Sequence, residues 1–275
     1  MPQLINEAAR LISNEKLGPR LYLMQLEAPA LASCLAPGQF VHVRIPDMPD
    51  HILRRPFSVY AWDEDENTID ILYQSVGYGT DHLAELAPEQ LGNKRLELIG
   101  PIGNTWAPSR AVSPYETQSA LIVAGGAGAP ALFMLTADLL SKGCEVDVVM
   151  GAATKDALVC KDRFEALLGK PVLAATDDGT FGHAGFCTTL VEEQLALART
   201  GIGKPYDYVA TCGPHPLMRI VSSLCCDAGV FCEVSTEKRM ACGIGACLSC
   251  VVDTVDGKKR SCVDGPIFDS KKVLW

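Results

Sequence analysis

The sequence predicts a multi-domain β plus α/β protein: a small antiparallel β-barrel, then a doubly wound parallel sheet, then a short cysteine-rich segment. Three observations predict it. Up to about residue 100, short apolar runs alternate at period two between Pro, Gly, Asp and Asn. From Ala120, strand-like runs alternate with helix-like ones. The last 43 residues hold four of the twelve cysteines and little periodicity.

In the first part the strand runs are LYLMQL, QFVHVRI, PFSVYAW, TIDILYQ and RLELIG. In QFVHVRI, Val41, Val43 and Ile45 share one face, and His42 and Arg44 take the other. Five or six such strands at close spacing suit a small barrel. The polar stretch APSRAVSPYETQS, with two prolines and no period, is the candidate boundary. The divisions expected are 1–106, a linker at 107–119, an α/β part at 120–232 and the thiol segment at 233–275.

In the α/β part, ALIVAG is a buried-strand run ending in a Gly-rich turn. PALFMLTADLLSKG follows with Pro130 at the helix start and Gly143 just past its end. EVDVVMGA, PVLAAT and YDYVATCG repeat the strand signal. PLMRIVSSLCCDAG reads as a helix with Leu217, Ile220, Val221, Leu224 and Cys225 on its inner face, closed by Gly229.

A formal charge of -9 argues against nucleic acid or an anionic membrane as the main partner. No apolar run reaches the ~18 residues of a membrane span, and MPQLINEAAR lacks the basic start and apolar core of a secretory signal. The expected location is the cytoplasm. That compartment keeps thiols reduced, so the cysteines are not read as a disulfide framework. The eight outside the last segment sit in apolar contexts and read as small buried hydrophobes, Cys212 excepted.

Several short motifs carry chemistry. In RRPFS, an arginine can clamp a phosphate through two parallel hydrogen bonds, although paired arginines beside proline also suit a solvated strand end. YQSVGYGT offers turn amides to a pyrophosphate, or is a plain β-turn. AGGAGAP, between a buried strand and a helix, is an anion site by position, though it lacks the GxGxxG spacing. TCGPHP lies on the same carboxyl edge of the sheet, where ligands of open α/β sheets bind.

RMACGIGACLSC gives C-x4-C-x2-C, then eleven intervening residues before Cys262. Structural zinc sites present two compact pairs, and here only Cys247 and Cys250 form one, with no histidine beyond His215. The lopsided spacing is that of a plant-type [2Fe–2S] centre, and Ala241, Gly243, Gly245 and Ala246 let the loop close around inorganic sulfur. Zinc stays the alternative.

With these motifs in order, the chain resembles the electron-transfer subunits of class B dihydroorotate dehydrogenases, a branch of the ferredoxin reductase superfamily. RRPFS, YGT, GPIGN, AGGAGAP, ATDDGTFGHAGF, TCGPHPLM, EKRMACGIGACLSC and CVDGP carry the resemblance along nearly the whole chain. It implies an FAD-binding barrel, an NAD-binding α/β domain and a C-terminal [2Fe–2S] segment. Arg55, Pro56, Phe57 and Ser58 would bind FAD, with Arg55 on phosphate and Ser58 near the isoalloxazine; Leu72, Tyr73, Gln74, Gly79 and Thr80 would complete that site. Gly125, Gly126 and Gly128 match the nicotinamide-nucleotide turn, although Ala127 stands where a GGGxG turn has glycine and Ala129 where it has a bulkier apolar residue. Cys212, Gly213 and Pro214 match the segment bordering the nicotinamide, and Cys242, Cys247, Cys250 and Cys262 match the cluster ligands. No general acid or base is assigned.

The resemblance implies an electron relay from a dihydroorotate-oxidising FMN subunit, in a heterotetramer of two plus two, to NAD+ for pyrimidine synthesis. Two other readings stand beside it. One is the small subunit of a ferredoxin-dependent transhydrogenase or sulfide dehydrogenase. The other is a zinc-stabilised interaction module without enzymatic activity.

Overall fold

The structure is a computed structural model that describes residues 3–110, 117–203 and 205–275. Residues 111–116, the middle of the expected 107–119 linker, lie outside the described residues.

Seven strands form the first sheet: β1 (Ile5–Gly18), β2 (Leu21–Glu27), β3 (Phe40–Arg44), β4 (Arg55–Ser58), β5 (Ala61–Asp63), β6 (Thr68–Gln74) and β7 (Leu96–Ile102). Their order is β4-β3-β7-β1-β2-β6-β5, antiparallel throughout. The sheet curls so that β4 packs back against β6. Short helices α1 (Pro29–Ala32), α2 (Tyr78–Glu85) and α3 (Pro88–Leu91) fill its corners. Alternation places Met24, Leu26, Val41, Val43, Ile69, Ile71, Leu96 and Leu98 inside the curl, all fully buried.

PFSVYAW breaks into β4 and β5, because Val59 and Tyr60 leave the ladder between them. The longest strand, β1, carries little strand signal: INEAARLISNEKLG is rich in residues that favour helix or turn. Pairing to both β2 and β7 holds it extended. His42, on the face opposite Val41 and Val43, is also buried, at 1% exposure, because the thiol loop covers that face.

The second sheet comprises β8 (Ser119–Gly125), β9 (Glu145–Ala152), β10 (Leu173–Thr176), β11 (His183–Ala184), β12 (Tyr208–Cys212) and β13 (Phe231–Ser235), all parallel. Helices α4 (Pro130–Ser141), α5 (Lys161–Leu168), α6 (Cys187–Arg199) and α7 (His215–Ala228) connect them. The chain runs outward from β8 to β11 and returns on the other side of β8 with β12. The switch point therefore falls between β8 and β12, where such sheets bind ligands. In α7 the buried stripe is Met218, Val221, Ser222 and Cys225, rotated from the expected face, and Ile220 is 41% exposed.

The C-terminal segment adds a hairpin, β14 (Val251–Thr254) with β15 (Gly257–Arg260), and one strand, β16 (Ile267–Asp269). β16 pairs antiparallel with β13 and so extends the second sheet. Asn104, of GPIGN, ties this segment to the end of β7: its side chain donates to the Asp264 and Ile267 carbonyls and accepts from the Ile267 N–H at 3.0 Å. One apolar core joins Leu21, Tyr60, Leu72 and Trp106 to Leu132, Leu135 and Phe164 across the two sheets. Among the described residues, no helix is long and apolar enough to cross a membrane.

Candidate functional site: a cleft between a sheet edge and a thiol loop

A cleft of about 870 Å³ runs between the first sheet, the carboxyl edge of the second and the start of the thiol loop. Arg55, Pro56, Phe57, Ser58, Leu72, Tyr73 and Gln74 all line it. They come together because β4 and β6, distant in sequence, face each other across the curl. Ala127 and Pro130 supply the opposite wall, and Thr236 to Met240 with Pro266 close one end.

The two arginines of RRPFS have different surroundings. Arg54 donates to the Glu97 carbonyl at 2.6 Å and its carboxylate at 3.0 Å, which ties it to β7. Arg55 donates to the Leu53 carbonyl, and the guanidinium lies over Gly79. A Cβ on Gly79 would sit 2.7 Å from the Arg55 guanidinium, so a side chain there would displace it.

Thr80 is buried in the turn: its Oγ1 accepts from the Val76 and Gly77 N–H groups and donates to the Gly77 carbonyl. It therefore shapes the start of α2 and does not line the cleft. The Tyr73 hydroxyl donates to Asn14 at 3.0 Å, and its ring stacks on Tyr22. Burial pushes the Tyr73 hydroxyl well above its ordinary range, so it stays protonated.

The predicted nucleotide residues meet at the switch point. A Cβ on Gly128 would lie 2.5 Å from the Cys212 carbonyl carbon, and one on Gly125 2.9 Å from Pro214. Only glycines let the 125–128 turn and the Cys212–Pro214 turn pack backbone to backbone. Gly126 has open space beside it. Cys212 is fully buried, and burial followed by the Glu237 carboxylate pushes its thiol far up. It is not a ready nucleophile.

The hairpin sets the thiol geometry. Cys250 precedes β14 and Cys262 follows β15; the Val251–Arg260 register brings their sulfurs to 3.3 Å, both buried. The eleven-residue spacing is thus one β-hairpin turning at Val255–Asp256. Cys242 and Cys247 form a second pair: the Cys247 N–H donates to the Cys242 sulfur at 3.4 Å. Gly243 and Gly245, at φ +69° and +82°, supply the left-handed turns that bend the loop back. Hydrogen bonds from Ser249 and the Cys242 side lower the exposed Cys247 thiol to about 6, while burial and Cys250 raise Cys262 to about 12.

Among the described residues, no three His, Cys, Asp or Glu side chains converge on one point. Two adjacent thiol pairs suit a binuclear iron–sulfur centre, which divides four thiolates between two irons, better than one tetrahedral zinc.

Four residues that motif reading did not assign belong to this region. Phe40 and Met240 line the cleft and also pack on Cys250 and Cys262, so they form the apolar partition between cleft and thiols. Glu237 sits on the cleft rim and is exposed. His42 packs beneath Gly243. Each owes its place to contacts between distant segments, so a local pattern does not mark it.

Comparison with known proteins matches this architecture. The profile of the iron–sulfur cluster binding domain of dihydroorotate dehydrogenase B matches residues 237–274. The fold resembles a solved NADH-dependent reduced ferredoxin-NADP oxidoreductase at 26% identity and TM-score 0.81, covering 98% of this chain and 90% of that one. The ferredoxin reductase of carbazole 1,9a-dioxygenase shares the fold, with a TM-score of 0.63 at 19% identity over 82% of this chain and 67% of its own. The electron transfer subunit of dihydroorotate dehydrogenase B (NAD(+)) from Desulforamulus reducens is 34% identical over 97% of both chains. That of Bacillus pumilus is 32% identical over 95% of both. With cleft, nucleotide edge and paired thiols in one continuous arrangement, the chain belongs to the family of dihydroorotate dehydrogenase B electron transfer subunits.

Proposed function

We propose that this chain carries electrons from a dihydroorotate-oxidising flavoprotein subunit, through a [2Fe–2S] centre and FAD, to NAD+, within a complex of two plus two subunits. The observation that carries the reading is the continuity of the three sites: Phe40 and Met240 are shared by cleft and thiols, and Ala127 and Pro130 by cleft and nucleotide edge. Residues 1–106 are assigned to FAD, 120–232 to NAD and 233–275 to the cluster.

A bound flavin exchanges single electrons with an iron–sulfur centre and a hydride with nicotinamide, so it is the needed middle carrier. This chain's residues hold and separate the carriers. Arg55 is placed to clamp the pyrophosphate of FAD, with Gly79 leaving room for its guanidinium. Tyr73, fixed by Asn14, and Leu72 wall the flavin side of the cleft, and Ser58 reaches the same wall from β4. The two glycine-bearing turns at the switch point receive the dinucleotide. Cys242, Cys247, Cys250 and Cys262 would hold the cluster, and Phe40 and Met240 would supply the apolar partition between the thiols and the cleft.

The test is anaerobic co-expression with a dihydroorotate-oxidising subunit. The purified complex is expected to carry flavin and iron–sulfur absorption and to reduce orotate at the expense of NADH. A colourless, zinc-loaded chain, or a complex that turns over only with ferredoxin, contradicts the proposal.

A further inference from the structure

His42 lies in the middle of β3, opposite Pro56 of β4 and Ile99 of β7. Its side chain leaves the barrel on the face away from Val41 and Val43 and is 1% exposed. Its Nε2 is fully buried and makes no hydrogen bond among the described residues. The thiol loop lies directly over the ring: a Cβ on Gly243 would fall 2.8 Å from both Nδ1 and Cε1.

A buried polar atom without a partner is rare in a folded protein. The groups around this one do not satisfy it. Phe40, Pro56 and Ile99 have no polar side-chain atom, and the nearby Arg54 guanidinium is donor-only and committed to Glu97. The segment that lies on the ring is the loop at Gly243, next to Cys242 in the chain, which brings backbone carbonyls and, once a cluster is bound, sulfurs to this side of His42.

We propose that His42 donates its ring N–H to a sulfur of the [2Fe–2S] centre, and so positions the Cys242–Gly243 turn and raises the centre's reduction potential. The inference rests on the cluster assignment made above. Hydrogen bonds to cluster sulfurs favour the reduced, more negative state, and groups just outside the ligand set orient the ligands. No local motif marks this histidine; a strand from the barrel delivers it to a loop some 200 positions later in the chain.

The test uses the holoprotein prepared anaerobically with 15N-labelled histidine. Pulsed EPR of the reduced protein is expected to show 15N coupling to the cluster spin, lost in His42→Gln grown in the same label. Redox titration is expected to give a lower midpoint for His42→Leu, and a near wild-type midpoint for His42→Gln, which keeps an N–H donor. An iron–sulfur signal in the labelled wild type without 15N coupling overturns the role of His42, whether or not the Leu variant folds. Equal midpoints in all three proteins also overturn it. Absence of any iron–sulfur signal would instead sink the cluster assignment itself.

Discussion

Arg54 and Arg55 are adjacent in sequence and differ in what their guanidinium groups meet. Arg54 braces β7 through Glu97, while Arg55 projects over Gly79 toward the cleft. Loss of a two-pronged charged contact costs about 1.5–3 kcal/mol. Arg55→Ala is therefore expected to weaken FAD binding roughly 10- to 100-fold, read as flavin content after gel filtration; unchanged occupancy argues against the clamp. Glu233 is the structural counterpart. Its carboxylate, 2% exposed as a residue, accepts from the Ala107 N–H, the Tyr208 hydroxyl and Arg110, and so fastens the chain leaving β7 to the second sheet. Glu233→Ala strands two of these donors in the interior and is expected to cost about 3 kcal/mol in denaturant unfolding. RRPFS was legible as chemistry because its residue types sit together. Glu233, Phe40 and Met240 were not, because the contacts that give them their place include partners more than a hundred positions away.

At the scale of elements, two turns of the second sheet can pack only without side chains. An added Cβ at Gly128 meets rigid backbone of Cys212 and Gly213, at 2.5–2.6 Å, which cannot swing aside. Gly128→Ala is expected to cost about 1–3 kcal/mol and to raise KM for NADH in a flavin-reduction assay. An unchanged KM would separate this turn from the nucleotide. The parallel strands and their Gly-rich ends were readable, since buried apolar runs punctuated by Pro and Gly repeat at regular spacing. β1 and the β14–β15 hairpin were harder to see. β1 owes its conformation to neighbours on both sides, and the hairpin strands VVDT and GKKR are too short and polar to show a period. The spacing of Cys250 and Cys262 is the trace that hairpin leaves in the sequence.

At the scale of the whole molecule, the proposed sites are joined by shared packing. A single apolar core spans both sheets, and Arg163 of α5 bonds Asp70 of β6 at 3.1 Å while its guanidinium lies 4.5 Å from the centre of the Tyr60 ring. β16 and Asn104 fix the thiol segment to the second sheet and to the end of the barrel. Such anchoring would hold the proposed carrier sites close to one another. The order of sites along the chain was legible from the motifs; that they share walls depends on packing that no single segment encodes. The most direct measurement of the relay is Cys250→Ser in the complex with the dihydroorotate-oxidising subunit. The account predicts loss of the iron–sulfur absorption and of dihydroorotate-to-NAD+ turnover, with FAD reduction by NADH surviving. Turnover that persists in this variant after the iron–sulfur signal is gone would contradict it.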